Sequence, residues 1–288
     1  NTSATIFKET ANKLLGKSVA NSPRFRQCRP QKLWHLSPDS YDLCMEMSNS
    51  KEPQCPDIAR SFWFHCQFPF DHGDPWRNKM ALERVDRVIV NSEFTKEEYE
   101  KVCRGMKMPD IDILYPSCFH TVHEQKDITR CRVAFVCIGR IFTPSPCANN
   151  KNFDKVINVF NKVIGDGGEC ELHIVGTVQH RDWYHALKKR ILHPDRIFIH
   201  PDASSETKQK ILKRCTYYIH AAGMGSNEKT DPHLFEHFGI SPIEALSFGC
   251  IPICVRGGFP KHYIEHGKNG YLFHDELSLY TVVVSAIR

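Results

Sequence analysis

Short apolar runs alternate with amphipathic stretches along nearly the whole chain, and no other feature restricts the fold as strongly. The runs are 41–47 (YDLCMEM), 61–68, 85–91 and 111–116, then 133–139, 171–176, 196–200, 216–222, 250–255 and 271–273. Between them, 95–103, 152–164, 181–192, 204–214, 242–248 and 260–266 read as helices. Phe153, Val156, Ile157 and Phe160 follow the i, i+3, i+4, i+7 spacing of a helix with one buried face. A strand that is apolar along its whole length is covered on both faces. Such strands, each followed by a helix, form parallel sheets. The expectation is an α/β protein of doubly wound, Rossmann-like units.

The alternation breaks once, at the polar stretch 117–132 (SCFHTVHEQKDITRCR). That break divides the chain into a first domain, 1–128, and a second, 129–288. The second holds six expected strands, nearly a complete Rossmann-like unit. The first holds four and lacks a glycine-rich strand-to-helix turn at its start, so it reads as partial. The chain begins at Asn1 rather than methionine, as a piece of a longer polypeptide would.

Composition narrows the partners. A total of 38 Lys and Arg against 33 Asp and Glu gives a net charge of +5 with no concentrated basic stripe, so nucleic acid is not implied. The 13 cysteines are odd in number, follow no repeated spacing and form no CxxC pair. They suit a reducing compartment and neither a disulfide framework nor a zinc site. Cys250 and Cys254 read as small buried apolar residues in a strand. No signal peptide is evident, and the apolar run Leu277–Ile287 is too short to span a bilayer.

The chemistry-bearing stretch is FEHFGISPIEALSFGCIP, residues 235–252. Glu236 and Glu244 stand with seven residues between them, around a Phe-Gly-Ile-Ser-Pro loop that opens a helix. A helix start offers free N–H groups to phosphate oxygens, and carboxylates accept from sugar hydroxyls. A purely structural reading stands beside this one. Ser241-Pro242-Ile243-Glu244 fits a capping box, with serine at the N-cap, proline at N1 and glutamate at N3. Likewise Thr95-Lys96-Glu97-Glu98 fits a capping box, and Ser92 a helix cap.

From His220 through Gly270 (HAAGMG, then FEHFGISPIEALSFGCIP, then GGFPKHYIEHGKNGYLF) the chain closely resembles the retaining GT-B glycosyltransferases of family 4, the glycosyl transferases group 1. The resemblance extends more thinly over 41–288. It implies two Rossmann-like domains with the active site in the cleft between them. It implies transfer of a hexose, mannose as first choice, from a GDP- or UDP-linked sugar to a glycan or glycolipid hydroxyl. No cofactor and no metal are implied. It places Arg140, of the strand-end Gly139-Arg140 pair, and Lys151 on the donor diphosphate. The loop Ile141–Asn150 is longer than is usual in the family, so Asn149, Asn150 and Lys151 compete for the second position. Glu244 would bind the ribose hydroxyls and Glu236 the transferred sugar. The backbone of Phe238, Gly239, Ile240 and Ser241 would meet the phosphates or the sugar. Gly257-Gly258 is a second candidate cradle. Lys261 follows Pro260 where relatives carry glutamate, and the turn reads as structural.

His220 ends a strand on the same side, with a half-buried histidine as the alternative. His233 and His237 flank Glu236 without the spacing of metal ligands. In the first domain, SFWFHCQFPF resembles a strand-end element that carries an active-site histidine in the family. That slot falls on Gln67, with His65 two residues earlier and on the same strand face. NSEFT at 91–95 resembles a family strand-to-helix segment, with Asn91 and Ser92 at its edge. Trp63 and Trp76 suggest acceptor contacts. Two other readings stay open at this point. One is an epimerase or phosphorylase on the same frame; the other is a non-catalytic donor-binding module of a larger protein. The expected location is cytoplasmic, with peripheral contact on the cytosolic face of a membrane.

Overall fold

A computed structural model describes residues 40–54, 58–70, 79–117, 133–145 and 150–288. Trp76, Asn149 and nearly all of the polar stretch 117–132 lie outside the described residues. The chain forms two compact units, Asn1–Ser117 and Cys118–Arg288.

In the first unit, strands β1 (Tyr41–Ser48), β2 (Ala59–Cys66), β3 (Arg87–Val90) and β4 (Asp110–Ile113) form one parallel sheet in the order β1-β2-β3-β4. Helices α1 (Lys79–Glu83) and α2 (Glu93–Val102) connect the later strands. Phe62, Phe64 and Cys66 alternate along β2 onto one face. They pack there with Leu82, Val85, Val88, Val90, Tyr99 and Cys103, all buried. The α2 cap is Ser92, whose hydroxyl accepts from the Thr95 N–H at 3.1 Å. This corrects the expected capping box at Thr95. The helix starts two residues earlier, and Thr95 is its third residue, the donor to the cap rather than the cap itself.

The second unit has a parallel sheet in the order β10-β9-β8-β5-β6-β7. Its strands are β5 (Val133–Ile138), β6 (Cys170–Gly176), β7 (Ile197–Pro201), β8 (Tyr217–His220), β9 (Ile251–Val255) and β10 (Tyr271–Phe273). Its helices are α3 (Phe153–Gly165), α4 (Arg181–Arg190), α5 (Ser205–Arg214), α6 (Ile240–Ser247), α7 (Pro260–Tyr263) and α8 (Glu276–Ile287). One sheet face packs Ala134, Val136 and Tyr218 against Ile211 and Leu212 of α5 and Ala245 of α6. On the other, Phe135 meets Phe160 of α3 edge-on at 5.1 Å and stacks on Tyr217 at 5.0 Å. Each such ring taken out of water contributes about 1.5–3 kcal/mol. The apolar run near the C-terminus is thus a helix, α8, capped by a reciprocal Asp275–Ser278 box. No helix among the described residues is long and apolar enough to cross a membrane.

The strand order decides where a ligand can sit. From β5 the chain winds outward through β6 and β7, then returns to place β8 on the other side of β5. In open parallel sheets, ligands bind beyond the strand carboxyl ends at such a switch point. Here that point lies between the ends of β5 and β8, where Gly139-Arg140 and His220-Ala221 emerge.

Candidate functional site

Glu236 is the centre of the residues gathered at this switch point. Its position is set by close packing of the segment around it. The Phe235 ring lies so near Gly223 and Gly257 that a β-carbon on either would come within 2.6 or 2.4 Å of it. The Glu236 carbonyl accepts from the Phe259 N–H at 2.8 Å. A β-carbon on Gly258 would fall 2.3 Å from that same oxygen. The Gly257-Gly258 turn therefore holds the Glu236 backbone in place. Its Gly258 N–H is taken by Glu228 at 3.2 Å, and Glu228 also pairs with Lys261 at 2.6 Å. That pairing accounts for a lysine at this position.

The Glu236 carboxylate receives two donors on one oxygen. Lys151 Nζ and His220 Nε2 each lie 2.7 Å from Oε2. Burial pushes the Glu236 carboxyl up, but the Lys151 charge and the His220 hydrogen bond outweigh it and hold the group well below the ordinary carboxylate range. Burial, then the Lys151 charge, pushes His220 down against the pull of Glu236, so its ring is neutral at pH 7. Lys151 reaches this place because its stem crosses the end of β5. A β-carbon on Gly139 would meet Lys151 Cγ at 2.7 Å. The adjoining Asn152 takes a left-handed conformation (φ 49°) and donates to the Ala221 carbonyl at 2.7 Å, tying the start of α3 to the end of β8. Lys155, one turn on, donates to the Met224 carbonyl at 2.9 Å.

Arg140 follows Gly139 and is exposed, its guanidinium 5.5 Å from the Phe142 ring. Asn150 accepts from the Asn152 N–H at 3.1 Å and so serves the local turn. Gly239 precedes α6 at φ 88°, a conformation that favours glycine. It makes the helix begin at Ile240. The expected capping box at Ser241 is therefore absent. Ser241 is the second helical residue, and Glu244 lies too deep in α6 to cap it. Phe238 is buried against Phe259 at 5.4 Å, and Ile240 is exposed. Glu244 is buried and pairs instead with Lys208 of α5 at 2.5 Å. The two glutamates of the motif thus have separate cationic partners.

In the first unit, His65 is buried, and neither ring nitrogen has a hydrogen-bond partner among the described residues. Burial lowers it to about 4. Gln67 lies past the end of β2, half-buried, with its N–H on the Ser48 carbonyl at 2.9 Å. Sequence reasoning missed Lys208, Glu228 and Lys155. Each bonds a residue far away in the chain, and local spacing carries no trace of such pairings. None of the eight described cysteines forms a disulfide, and Cys250 and Cys254 are buried as expected. Among the described residues no three His, Cys, Asp or Glu side chains are grouped to hold a metal ion.

This arrangement can grip an anion and read hydroxyls, and its residues coincide with a known family. Residues 139–279 match the model of the glycosyl transferases group 1. That stretch, just under half of the chain, is similar to the glycosyl transferases group 1. The chain is 25% identical over 216 residues to the alpha-1,3/1,6-mannosyltransferase ALG2 of Homo sapiens, a match covering 68% of this chain and 48% of that protein. The chain spans about half the length of the curated relatives it matches. Among solved structures it resembles Anabaena Alr3699/HepE in complex with UDP and glucose, with TM-score 0.60, 15% identity, and coverage of 80% of this chain and 62% of that one. It also resembles TarM, with TM-score 0.56, 15% identity, and coverage of 83% and 49%. The fold is that of the GT-B glycosyltransferases.

Proposed function

We propose that this chain binds a nucleoside-diphosphate sugar through its second unit and transfers the hexose, with retention, to an acceptor hydroxyl on a glycan or glycolipid. The observation that carries the reading is the Glu236 carboxylate. It is held ionised beyond the carboxyl ends of β5 and β8, beside the Lys151 ammonium, the His220 imidazole and a helix start. In this reading Arg140 and Lys151 take the diphosphate, which has the charge they complement. The amides of Phe238 to Ser241 add their dipoles at the helix start. Glu244 takes the ribose diol and Glu236 the sugar hydroxyls. As the bond between the sugar and the diphosphate breaks, negative charge grows on the leaving oxygen, and these groups stabilise it. The acceptor oxygen attacks from the same face, and its proton passes to the departing phosphate. The cations belong to the protein, so donor binding is expected to survive chelation of divalent metal.

Mannose is the first choice of sugar, since the relatives are named mannosyltransferases. The first unit, with His65, Gln67 and Trp63, is assigned to the acceptor. Cysteines without disulfides among the described residues suit the reducing, cytosolic side of a membrane, where a glycolipid acceptor would be met peripherally. The test is a panel of GDP-mannose, UDP-glucose, UDP-galactose and UDP-N-acetylglucosamine, each followed for binding, hydrolysis and transfer. One donor should bind and release its diphosphate. Binding without any turnover would identify a donor-binding module of a larger protein. Binding of none would overturn the proposal.

A further inference from the structure

Both protein donors to Glu236 land on Oε2, and no hydrogen bond or ion pair among the described residues uses Oε1. The carboxylate is part-exposed, so Oε1 is the oxygen left for a ligand. Behind it, His220 is 3% exposed and is fixed from its other side. The Tyr218 hydroxyl lies 3.3 Å from His220 Nδ1, and the two rings, two residues apart on β8, are inclined by 17°. The Tyr218 hydroxyl also lies 3.5 Å from the Ile138 carbonyl at the end of β5. The imidazole is thus held between the Tyr218 hydroxyl on one side and the Glu236 carboxylate on the other.

A neutral imidazole has one N–H and one acceptor nitrogen. Next to a carboxylate at 2.7 Å, Nε2 carries the hydrogen, which leaves Nδ1 to accept; the Tyr218 hydroxyl, at 3.3 Å, is nearer to Nδ1 than to the Ile138 carbonyl at 3.5 Å. Lys151 alone could not set the direction of the carboxylate, because an ammonium group on a flexible stem donates along many directions. The imidazole is planar and buried, so its N–H points one way.

We infer that His220, held in one tautomer by Tyr218, is a positioning residue that pins Glu236 Oε2 and so presents Oε1 to adjacent hydroxyls of the donor sugar. This rests on the proposed function and deepens it. His220 does not touch the ligand; it decides which carboxylate oxygen does. When the diphosphate draws Lys151 away, His220 keeps the carboxylate in place, so the sugar is read by an acceptor that does not turn with the lysine.

The consequence separates sugar recognition from nucleotide recognition. In calorimetry on the full chain, the donor should bind more tightly than its nucleoside diphosphate alone. His220→Leu should remove that difference, with a loss of roughly tenfold or more, the scale of a hydrogen bond to a charged group. The nucleoside diphosphate should bind as before, within about twofold. His220→Gln, which offers an amide N–H near the Nε2 position, should restore most of the difference. Tyr218→Phe should reduce it in the same direction, and serves if His220→Leu does not fold. The nitrogen shifts of His220 in the ligand-free protein should report the Nε2–H tautomer. An Nδ1–H tautomer would overturn the inference. So would equal losses for nucleotide and sugar nucleotide in His220→Leu, or no loss for either. If the unmutated chain binds neither ligand, the donor-site reading itself falls and takes this inference with it. If both bind and His220→Leu changes nothing, only the inference falls.

Discussion

His65 and His220 are equally hidden, each 3% exposed, and each lies at the carboxyl end of a parallel strand. Burial lowers the pKa of both. They differ in company. His220 lies between the Tyr218 phenol and the Glu236 carboxylate, while neither nitrogen of His65 has a partner among the described residues. A buried polar group is costly unless paired, and a paired one is fixed in direction. The second unit thus uses its histidine to hold a charged group still. In the first unit, the described residues give His65 no such duty.

The largest effect should come from Glu236, where the comparison is sharpest. Glu236→Ala removes the carboxylate that Lys151 and His220 share, and transfer should fall by at least about a hundredfold, as when a group aimed at the reacting centre is lost. His65→Ala measured alongside should cost less. A greater loss at His65 would move the catalytic weight into the first unit.

Next is Glu244. Glu244→Ala should weaken sugar-nucleotide binding by about 1.5–3 kcal/mol through the lost charge-assisted hydrogen bonds. Its stability cost should be under about 1 kcal/mol, because Glu244 caps nothing and its part-exposed partner Lys208 can turn to water. Calorimetry and urea unfolding on the same protein read both numbers. Unchanged affinity would remove Glu244 from the site.

The third test concerns the unpaired histidine itself. His65 has its folded pKa near 4 against 6.5 when unfolded. Below 6.5 the unfolded chain binds a proton that the folded chain refuses, so stability is intact above that pH and falls as pH drops towards 4. His65 should contribute a loss on the order of 2 kcal/mol between about pH 6.5 and pH 5, at about 1.4 kcal/mol per pH unit. His173 and His237, also lowered to about 4, act in the same sense in the second unit. Urea midpoints of the unmutated chain and His65→Leu across this range should show the substitution flattening the slope. An unchanged slope would mean that His65 has a partner in solution. The smallest effect is at the glycine turn, where Lys261→Ala should cost only about 0.2–1 kcal/mol, since the Lys261–Glu228 pair is part-exposed.

The contrast between the two histidines also explains what the sequence could and could not disclose. The strands were readable because continuous apolar runs have one good solution; all ten form, and only β4, which ends three residues early, departs by more than two residues from its expected bounds. Their parallel pairing followed from the alternation with helices. Cap positions were less readable. Ser241 and Thr95 both begin a capping pattern, yet a left-handed Gly239 starts one helix earlier and Ser92 starts the other. Several residues can satisfy a cap motif in one short segment, and the backbone chooses among them. Glu236 and Glu244 stood out by their resemblance to a family. Their partners Lys151, His220 and Lys208 come from 85, 16 and 36 positions away (236 − 151, 236 − 220, 244 − 208). Such pairings depend on the strand order, with β8 returning beside β5, which no local pattern encodes.

The proposed donor site lies in the second unit, around Glu236. A photoreactive nucleoside-diphosphate sugar, cross-linked to the intact chain and mapped by peptide mass, tests it directly. Label is expected within 139–151 and 220–258, competed away by unmodified donor and reduced in Glu236→Ala. Competable label confined to 40–117 would contradict it.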